Sequence, residues 1–483
     1  MSRSLAQGTA YIMASEFAFI LSNYVIHVVI ARLMGVEAYG VFGILLSLFM
    51  INRAFLNTGI PRATSKFIAE NPVNAGAVFR TSWKLQFWIA LAFMLLYILG
   101  APLFANLLND SSLQYYIMLI GVMILPLALL SLYTSGLMNG LRLFKEQALI
   151  KTAYPVLRVI LTVIFIMLGW SIFGALIGYL TAIIAGLLWA MYLLRGSKYK
   201  TQDYLPYLQK KIILFALPVA LSALSFSLLR NINTLFIKYF FADNTVVGLY
   251  TAAFTISTIP YFILISLSLT LTPAISYAVS AGNLALVQKY INQSLRSLML
   301  ILVPATVLIA ASSSALLYFL YSGSYVAAGP LLNILIFGSA FLTVFTTLTS
   351  ITTGGGKPWI EMALSIILMV ILVISNLIFI PRYGLIGSSY AVLVTSMIAC
   401  VSIAIIVYRK FGTLGHFVSY FRVIGVGIFL FYLALAWNAQ GWFLLIEYTT
   451  LGVIYLLLLF LFGELRREDW QLVRKVFKMR SKN

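Results

Sequence analysis

Arg230, Asn231 and Asn233 sit together in PVALSALSFSLLRNINTLFIKY, residues 218–239, a stretch long enough to cross a bilayer. An arginine near the middle of a spanning helix costs at least ~2.5–3.5 kcal/mol, so it is retained where it faces a polar cavity or a partner, and a transport pathway is the first expectation. Its planar fork donates two parallel charge-assisted hydrogen bonds to a phosphate and stays protonated when partly desolvated. Ser227, Arg230 and Thr234 share one helical face with Asn233 one position round, and serine and asparagine suit sugar hydroxyls. Snorkelling explains Arg230 poorly, because about ten residues separate it from either end of the span.

A second polar face lies near the start of the chain. Glu16, Ile20, Asn23 and His27 recur at i, i+4, i+7 and i+11, which places them on one side of a helix. A membrane-embedded carboxylate there binds and releases a proton, or holds a sodium ion, unless a cation compensates it. Arg230 is the expected compensating cation; the alternative is that Glu16 only ties two helices together. His27, close to the far end of the helix, is expected at the membrane interface.

Further along, INRAFLNTGIPRATSKF sets Arg53 and Asn57 one turn apart and deeper than Arg62 and Lys66. Arg53 and Asn57 fit a basic vestibule for an anionic headgroup, whereas Arg62 and Lys66 read as ordinary interfacial anchors and Arg53 fits both readings. Arg158, just after Pro155, carries the same two readings. Pro260 and Pro304 stand where they would kink or break helices, while Pro155 and Pro218 fit helix starts. The run Gly354-Gly-Gly-Lys-Pro358 lacks the GxxxxGK[ST] pattern and reads as a short helix connection. With one cysteine, Cys400, and two distant histidines, His27 and His416, neither an internal disulfide nor a metal cluster is expected. No grouping of acid, base and nucleophile suggests an enzyme.

The elements that must position these residues are membrane helices. Hydrophobic residues make up 62% of the 483 and charged ones 9%, and the mean hydropathy is +1.02, which excludes an ordinary soluble protein. Spans are expected near 8–33, 39–61, 83–106, 113–139, 149–169, 171–194, 212–240, 246–280, 288–320, 326–353, 358–380, 384–408, 417–437 and 442–463. The first contains Glu16 and no small-residue cleavage site, so it is expected to remain as a span and not to be a signal peptide. The expected fold is therefore all-α and polytopic, with 14 transmembrane helices. Its organisation is an N-lobe at 1–194, a linker at 195–211, a C-lobe at 212–410, two further helices within 411–465 and a basic tail at 466–483.

The net charge of +20 follows this topology. Nearly every lysine and arginine falls on one face, and only Arg32, Lys238 and Arg382 fall on the other. By the positive-inside rule both termini are expected in the cytoplasm, with anionic lipid as a secondary contact and no nucleic-acid partner.

A repeat of roughly 210 residues is also visible. Thr134-Ser135 followed by Gly140, Arg142, Glu146, Ala148 and Leu149 matches Thr349-Ser350 followed by Gly355, Lys357, Glu361, Ala363 and Leu364. Phe173-Gly174 matches Tyr383-Gly384, while Asn23 and Gly40 match Asn231 and Gly248. Six helices are thus repeated in parallel, the arrangement of transporters that bind substrate between halves near the midplane. Compositional bias between apolar helices is the competing explanation.

These segments resemble a known family. ARLMGVEAYGVFGI (31–44), GIPRATSKFIAE (59–70), NGLRLFKEQAL (139–149), its echo GGGKPWIEMAL (354–364) and RYGLIGSSYA (382–391) look like the polysaccharide exporters, or oligosaccharide flippases, of the multidrug/oligosaccharidyl-lipid/polysaccharide (MOP) superfamily. The resemblance spans nearly the whole chain. It implies two six-helix lobes in the cytoplasmic membrane, moving a polyprenyl-(pyro)phosphate-linked oligosaccharide to the outer leaflet by alternating access. In that picture Arg230, helped by Arg53 from the cytoplasmic side, holds the (pyro)phosphate, Asn23, Asn231, Asn233 and Ser227 contact sugar, and Asn57 lines the cavity beside Arg53. Glu16 couples transport to H+ or Na+, and no other cofactor is implied. The implied partners are the polyprenyl-linked glycan, membrane lipid, and a glycan polymerase or glycosyltransferases. The helices at 417–463 are similar to the extra pair of lipid II flippases, so lipid II remains an alternative cargo. The multidrug branch is the other alternative, although it favours an acidic cavity for cationic drugs.

Overall fold

The computed structural model describes residues 2–195 and 206–464; most of the inter-lobe linker and the basic tail lie outside the described residues. Among the described residues the backbone is almost entirely helical and contains no strand. Twelve stretches are long and apolar enough to cross a membrane, as expected where lipid offers the backbone no hydrogen-bond partners and helices satisfy them internally.

Two of the twelve are not single rods. Gly35 carries φ 78° and ψ 178° inside the 57-residue stretch that begins at Ala14, a conformation that glycine adopts at little cost. There the chain folds back. Residues 12 apart in a straight helix would stand ~18 Å apart, yet His27 Nδ1 and Tyr39 Oη share a hydrogen bond of 2.8 Å. The same applies to the 51-residue stretch Phe144–Leu194, where Gly169 (φ 87°) and Ser171 (φ 48°) break the helix. We therefore number α1 (2–34), α2 (36–70), α3 (Ala75–Leu107), α4 (Leu113–Ser131, continued by a π turn, Leu132–Met138), α5 (Phe144–Phe165) and α6 (Ser171–Leu194). Then follow α7 (Pro206–Phe241), α8 (Asn244–Ser257, resuming as Ile259–Ser280), α9 (Leu284–Ala311), α10 (Gly329–Gly354), α11 (Trp359–Tyr383), α12 (Leu385–Phe411), α13 (Phe417–Trp437) and α14 (Phe443–Leu461). With the two bends counted as breaks, the stretches give the fourteen segments expected.

The prolines divide. The interruption in α8 falls at Thr258, just before Pro260, where a break was expected. Pro304 instead lies inside α9, and the break comes at Ser312. Ser312 sends its hydroxyl back to the Leu308 carbonyl at 2.7 Å, a local bond that competes with the helical ladder. Pro155 and Pro218 are likewise inside α5 and α7 and do not mark their starts. The Gly354–Pro358 run is the expected helix connection, closed by Lys357 N–H donating to the Thr352 carbonyl at 3.0 Å.

By proximity the chain forms two compact units, one of residues 1–255 and 362–388, the other of 256–361 and 389–483. In the first, α2 runs antiparallel along α7. A β-carbon on Gly59 would stand 2.9 Å from Ala220 Cβ, and Ser227 Oγ donates to the Met50 carbonyl at 3.1 Å. At the far end of α2, the two repeat-matched glycines come together. A β-carbon on Gly40 would collide with the Asn244 carbonyl, and one on Gly248 with the Val36 carbonyl. Backbone meets backbone here, which only glycine permits.

Beside that contact, Lys238 Nζ at the end of α7 pairs with Asp110 Oδ2 at 2.8 Å, and Asn244 Nδ2 donates to the same oxygen at 3.1 Å. Burial opposes the Asp110 charge, but bonds from Lys238, Ser112 and Asn244 prevail and hold its carboxyl down at about 2, from 3.8. A depressed carboxylate contributes stability that is complete above 3.8 and fades as pH falls through about 2. Asp110→Asn is therefore expected to lower the melting temperature of the solubilised protein at pH 7, with the deficit shrinking as the pH approaches 2. A deficit that is constant with pH would contradict this.

In the second unit, α9 carries the last two helices. Leu308 packs with Val423, Val426 and Leu430 of α13 and Leu451, Tyr455 and Leu459 of α14. Arg296 Nε of α9 pairs with Glu464 Oε1 at 2.9 Å, and Ser419 also hydrogen-bonds that carboxylate. A buried pair of this kind is costly to break from one side, by roughly 3–5 kcal/mol, so α13 and α14 are fixed to α9 at one end by charge and along their length by apolar packing.

Candidate functional site

The site grows from two facing polar stripes. On α5, Gln147, Lys151, Tyr154, Arg158 and Thr162 recur at i, i+4, i+7, i+11 and i+15, one continuous helical face. On α1, Glu16, Phe19 and Asn23 recur at i, i+3 and i+7. The stripes meet: Lys151 Nζ donates to Glu16 Oε1 at 2.9 Å, and the Arg158 guanidinium lies 5.6 Å from the Phe19 ring centre.

Arg158 is fully buried. Among the described residues, none of its three guanidinium nitrogens has a hydrogen-bond partner. Aromatic faces surround it instead, with Tyr179 of α6 at 4.8 Å and Tyr154 at 5.9 Å. Gly178 makes this possible: a β-carbon there would stand 2.6 Å from Thr162 Cα, so only glycine lets α6 approach α5 closely enough to bring Tyr179 over the charge. Tyr179 is in turn braced edge-on by Phe42 and Phe49 of α2.

Arg53 of α2 completes the cluster. Its guanidinium lies 4.6 Å from the same Phe19 ring, and Arg53 is within electrostatic range of Arg158, Glu16 and Tyr154. Arg53 is half-buried, unlike Arg158. Lys151 and Arg53 thus neighbour one carboxylate, Glu16, with Arg158 beside Arg53, between the spanning helices of one unit.

The α7 residues reach this region through α2. Ser227 Oγ donates to the Met50 carbonyl at 3.1 Å, Asn231 Nδ2 donates to the Ser227 carbonyl at 2.8 Å, and Arg53 Nη1 lies 3.8 Å from Met50 Sδ. Ser227 is therefore held at the level of Met50, one turn from Arg53, and Arg230 and Asn231 lie one turn further along α7. Asn57 lies one turn further along α2, and both its Oδ1 and that of Asn23 are buried without a hydrogen-bond donor among the described residues. Asn233 points elsewhere. Its Nδ2 donates to the Ser388 carbonyl at 3.3 Å and its Oδ1 accepts from Asn376 Nδ2 at 2.7 Å, a buried knot joining α7, α11 and the start of α12.

Two expectations change and one open reading narrows. The cation found against Glu16 is Lys151, because α5 neighbours α1. Arg158, which fitted both an anchor and a vestibule, is a buried charge. His27 is buried as well, bonded to Tyr39 and edge-on to Phe42, because the α1–α2 bend folds the two helices face to face there. The five-residue polar stripe on α5 is the signal that exposes Lys151, Tyr154 and Arg158 as site residues; it was hidden by sorting Lys151 and Arg158 with the basic face.

Known proteins match this chain in both sequence and fold. A family model described as polysaccharide biosynthesis protein matches residues 5–279, and one described as MatE matches residues 218–378. An uncharacterized membrane protein of Methanocaldococcus jannaschii is 25% identical over 418 residues, covering 82% of this chain and 95% of its own length. Stage V sporulation protein B of Bacillus subtilis is 24% identical over 61% of this chain and 62% of its own length. Among solved structures, the lipid II flippase MurJ in an inward closed conformation superposes with a TM-score of 0.77 at 15% identity, covering 95% of this chain and 98% of that one. An inward-facing MATE multidrug transporter of the MOP superfamily follows at 0.72 and 18% identity, covering 82% and 95%. At such identities these two show a shared fold.

Proposed function

This chain belongs to the polysaccharide biosynthesis protein family of the MOP flippase superfamily and is a multi-pass membrane transporter; from that premise we propose that its cargo is a polyprenyl-(pyro)phosphate-linked oligosaccharide, carried across the cytoplasmic membrane for cell-surface polysaccharide assembly. The observation that carries this reading is the cluster of Arg53, Lys151 and Arg158 with the single acid Glu16 within the spanning helices. Cations outnumbering carboxylates in this cluster suit an anionic headgroup. They repel the cationic compounds that a multidrug antiporter would bring, so the multidrug reading is the weaker one.

In the proposed cycle the headgroup enters from the cytoplasmic face, where both termini lie. Arg53 and Arg230 hold the (pyro)phosphate through paired charge-assisted bonds. Asn23, Asn57, Asn231 and Ser227 contact sugar, with the two orphaned asparagine oxygens as acceptors for its hydroxyls. Asn233 joins them only by releasing Asn376. The prenyl tail stays in lipid beside α13 and α14 while the N-lobe (1–194) and C-lobe (212–410) rock about the site. Glu16 exchanges Lys151 for H+ or Na+ when the headgroup takes the lysine, which couples the cycle to an ion gradient.

Reconstitution into liposomes tests the proposal. Translocation of a polyprenyl-pyrophosphate-linked glycan with no transport of cationic drugs supports it; the reverse result overturns it. Lipid II shares the pyrophosphate chemistry, and offering it alongside other linked glycans separates that cargo from the rest.

A further inference from the structure

We propose that Arg158 is a second, concealed anion position, shuttered by Phe19, to which the (pyro)phosphate passes after it has met Arg53. This rests on the reading above that the headgroup binds Arg53.

The argument starts from what Arg158 lacks. A buried arginine is ordinarily matched by a carboxylate or saturated by carbonyl oxygens, because an unmatched charge inside a protein is strongly unfavourable. Arg158 is fully buried, and among the described residues its Nε, Nη1 and Nη2 meet no acceptor. The nearby carboxylate is committed elsewhere: Glu16 Oε1 accepts from Lys151 at 2.9 Å. The rings of Tyr179, Phe19 and Tyr154 attract the cation through their faces, but they do not occupy the in-plane N–H donors that a phosphate would take. The donor set is intact and enclosed by aromatic side chains away from water, where an anion is held far more tightly than in water.

Phe19 is the side chain that Arg158 shares with the half-buried Arg53. Its ring centre lies 4.6 Å from the Arg53 guanidinium and 5.6 Å from that of Arg158, so the two charges are no farther apart than those distances laid end to end. Arg53 is half-buried; Arg158 is sealed. A rotamer change of one phenylalanine would join them into a single two-arginine site for the two phosphate groups. An anion that draws Phe19 aside thereby gains a second ligand and bridges the helices that carry the two arginines, α2 and α5. Headgroup binding is in this way converted into a changed packing of the lobe.

The test uses inorganic pyrophosphate as the probe, titrated calorimetrically into the full-length protein in nanodiscs. Phe19→Ala removes the shared ring in the resting protein and is expected to tighten pyrophosphate binding by about tenfold. Phe19→Leu, which keeps an apolar side chain in the fold, gives a smaller gain in the same direction. In Phe19→Ala/Arg158→Gln the gain disappears, and Arg158→Gln alone abolishes transport. A merely structural arginine cannot produce a gain of affinity that depends on Arg158. If pyrophosphate binds the parent protein and Arg53→Ala weakens it, but neither Phe19 variant tightens it or the gain survives Arg158→Gln, the concealed position is refuted while the headgroup reading stands. If pyrophosphate fails to bind the parent at all, the headgroup reading falls and this proposal with it.

Discussion

Cells whose only copy carries Arg53→Ala are expected to display about 10- to 100-fold less surface glycan than cells with the parent protein at matched abundance. A hydrogen bond to a charged group contributes roughly 1.5–3 kcal/mol, and each 1.4 kcal/mol is a factor of ten. Arg53 is also well placed to be the first contact. It is half-buried, it reaches Met50, whose carbonyl holds Ser227, and it faces Phe19. Arg53→Lys should recover part of the export, since the charge returns without the planar fork. Undiminished export by Arg53→Ala would remove the phosphate role from this residue.

The second large effect concerns the Glu16–Lys151 pair, which is partly exposed and bonded at 2.9 Å. Lys151→Glu places two carboxylates together where the headgroup is to arrive, and export is expected to fall to background. The reciprocal exchange, Glu16→Lys with Lys151→Glu, restores an ion pair, and with it the abundance and melting temperature of the protein. If Lys151 serves only to hold α1 against α5, the exchange should restore export as well. If Lys151 is an anion ligand that Glu16 guards, export should stay low, because the cation then sits on the wrong helix. The second outcome is the expected one.

Much of the fold was legible from the residues, for definite physical reasons. Spanning segments announce themselves by apolar length, and the bends at Gly35 and Gly169 fall where one expected span ends and the next begins. The match of Gly40 with Gly248, read from a weak repeat, proved to be a pair of glycines in close backbone approach. The site was legible only in part. Arg230, Ser227 and Asn231 stand out because polar residues deep in a span are rare, and Ser227 is bonded to the Met50 carbonyl on α2, one turn from Arg53. Arg158 and Lys151 did not stand out, since a basic residue near a span end is usually an interfacial anchor. What distinguishes them is the chain of contacts α1–α5–α6, and helix adjacency in three dimensions is not encoded in the period of any single helix. Asn233 illustrates the converse. Its type suits sugar, but its position between Ser388 and Asn376 makes it a clasp between helices.

Transport in a purified system bears most directly on the central claim. With the protein reconstituted in liposomes, a fluorescent polyprenyl-pyrophosphate-linked oligosaccharide is placed in one leaflet and its appearance in the other is followed. The same is done for the Arg53→Ala protein and for a cationic dye offered in place of the glycolipid. Movement of the glycolipid by the parent protein, inhibited by added pyrophosphate and lost in Arg53→Ala, with no uptake of the dye, is the predicted result. Dye uptake driven by an ion gradient, with the glycolipid left where it was placed, would contradict it.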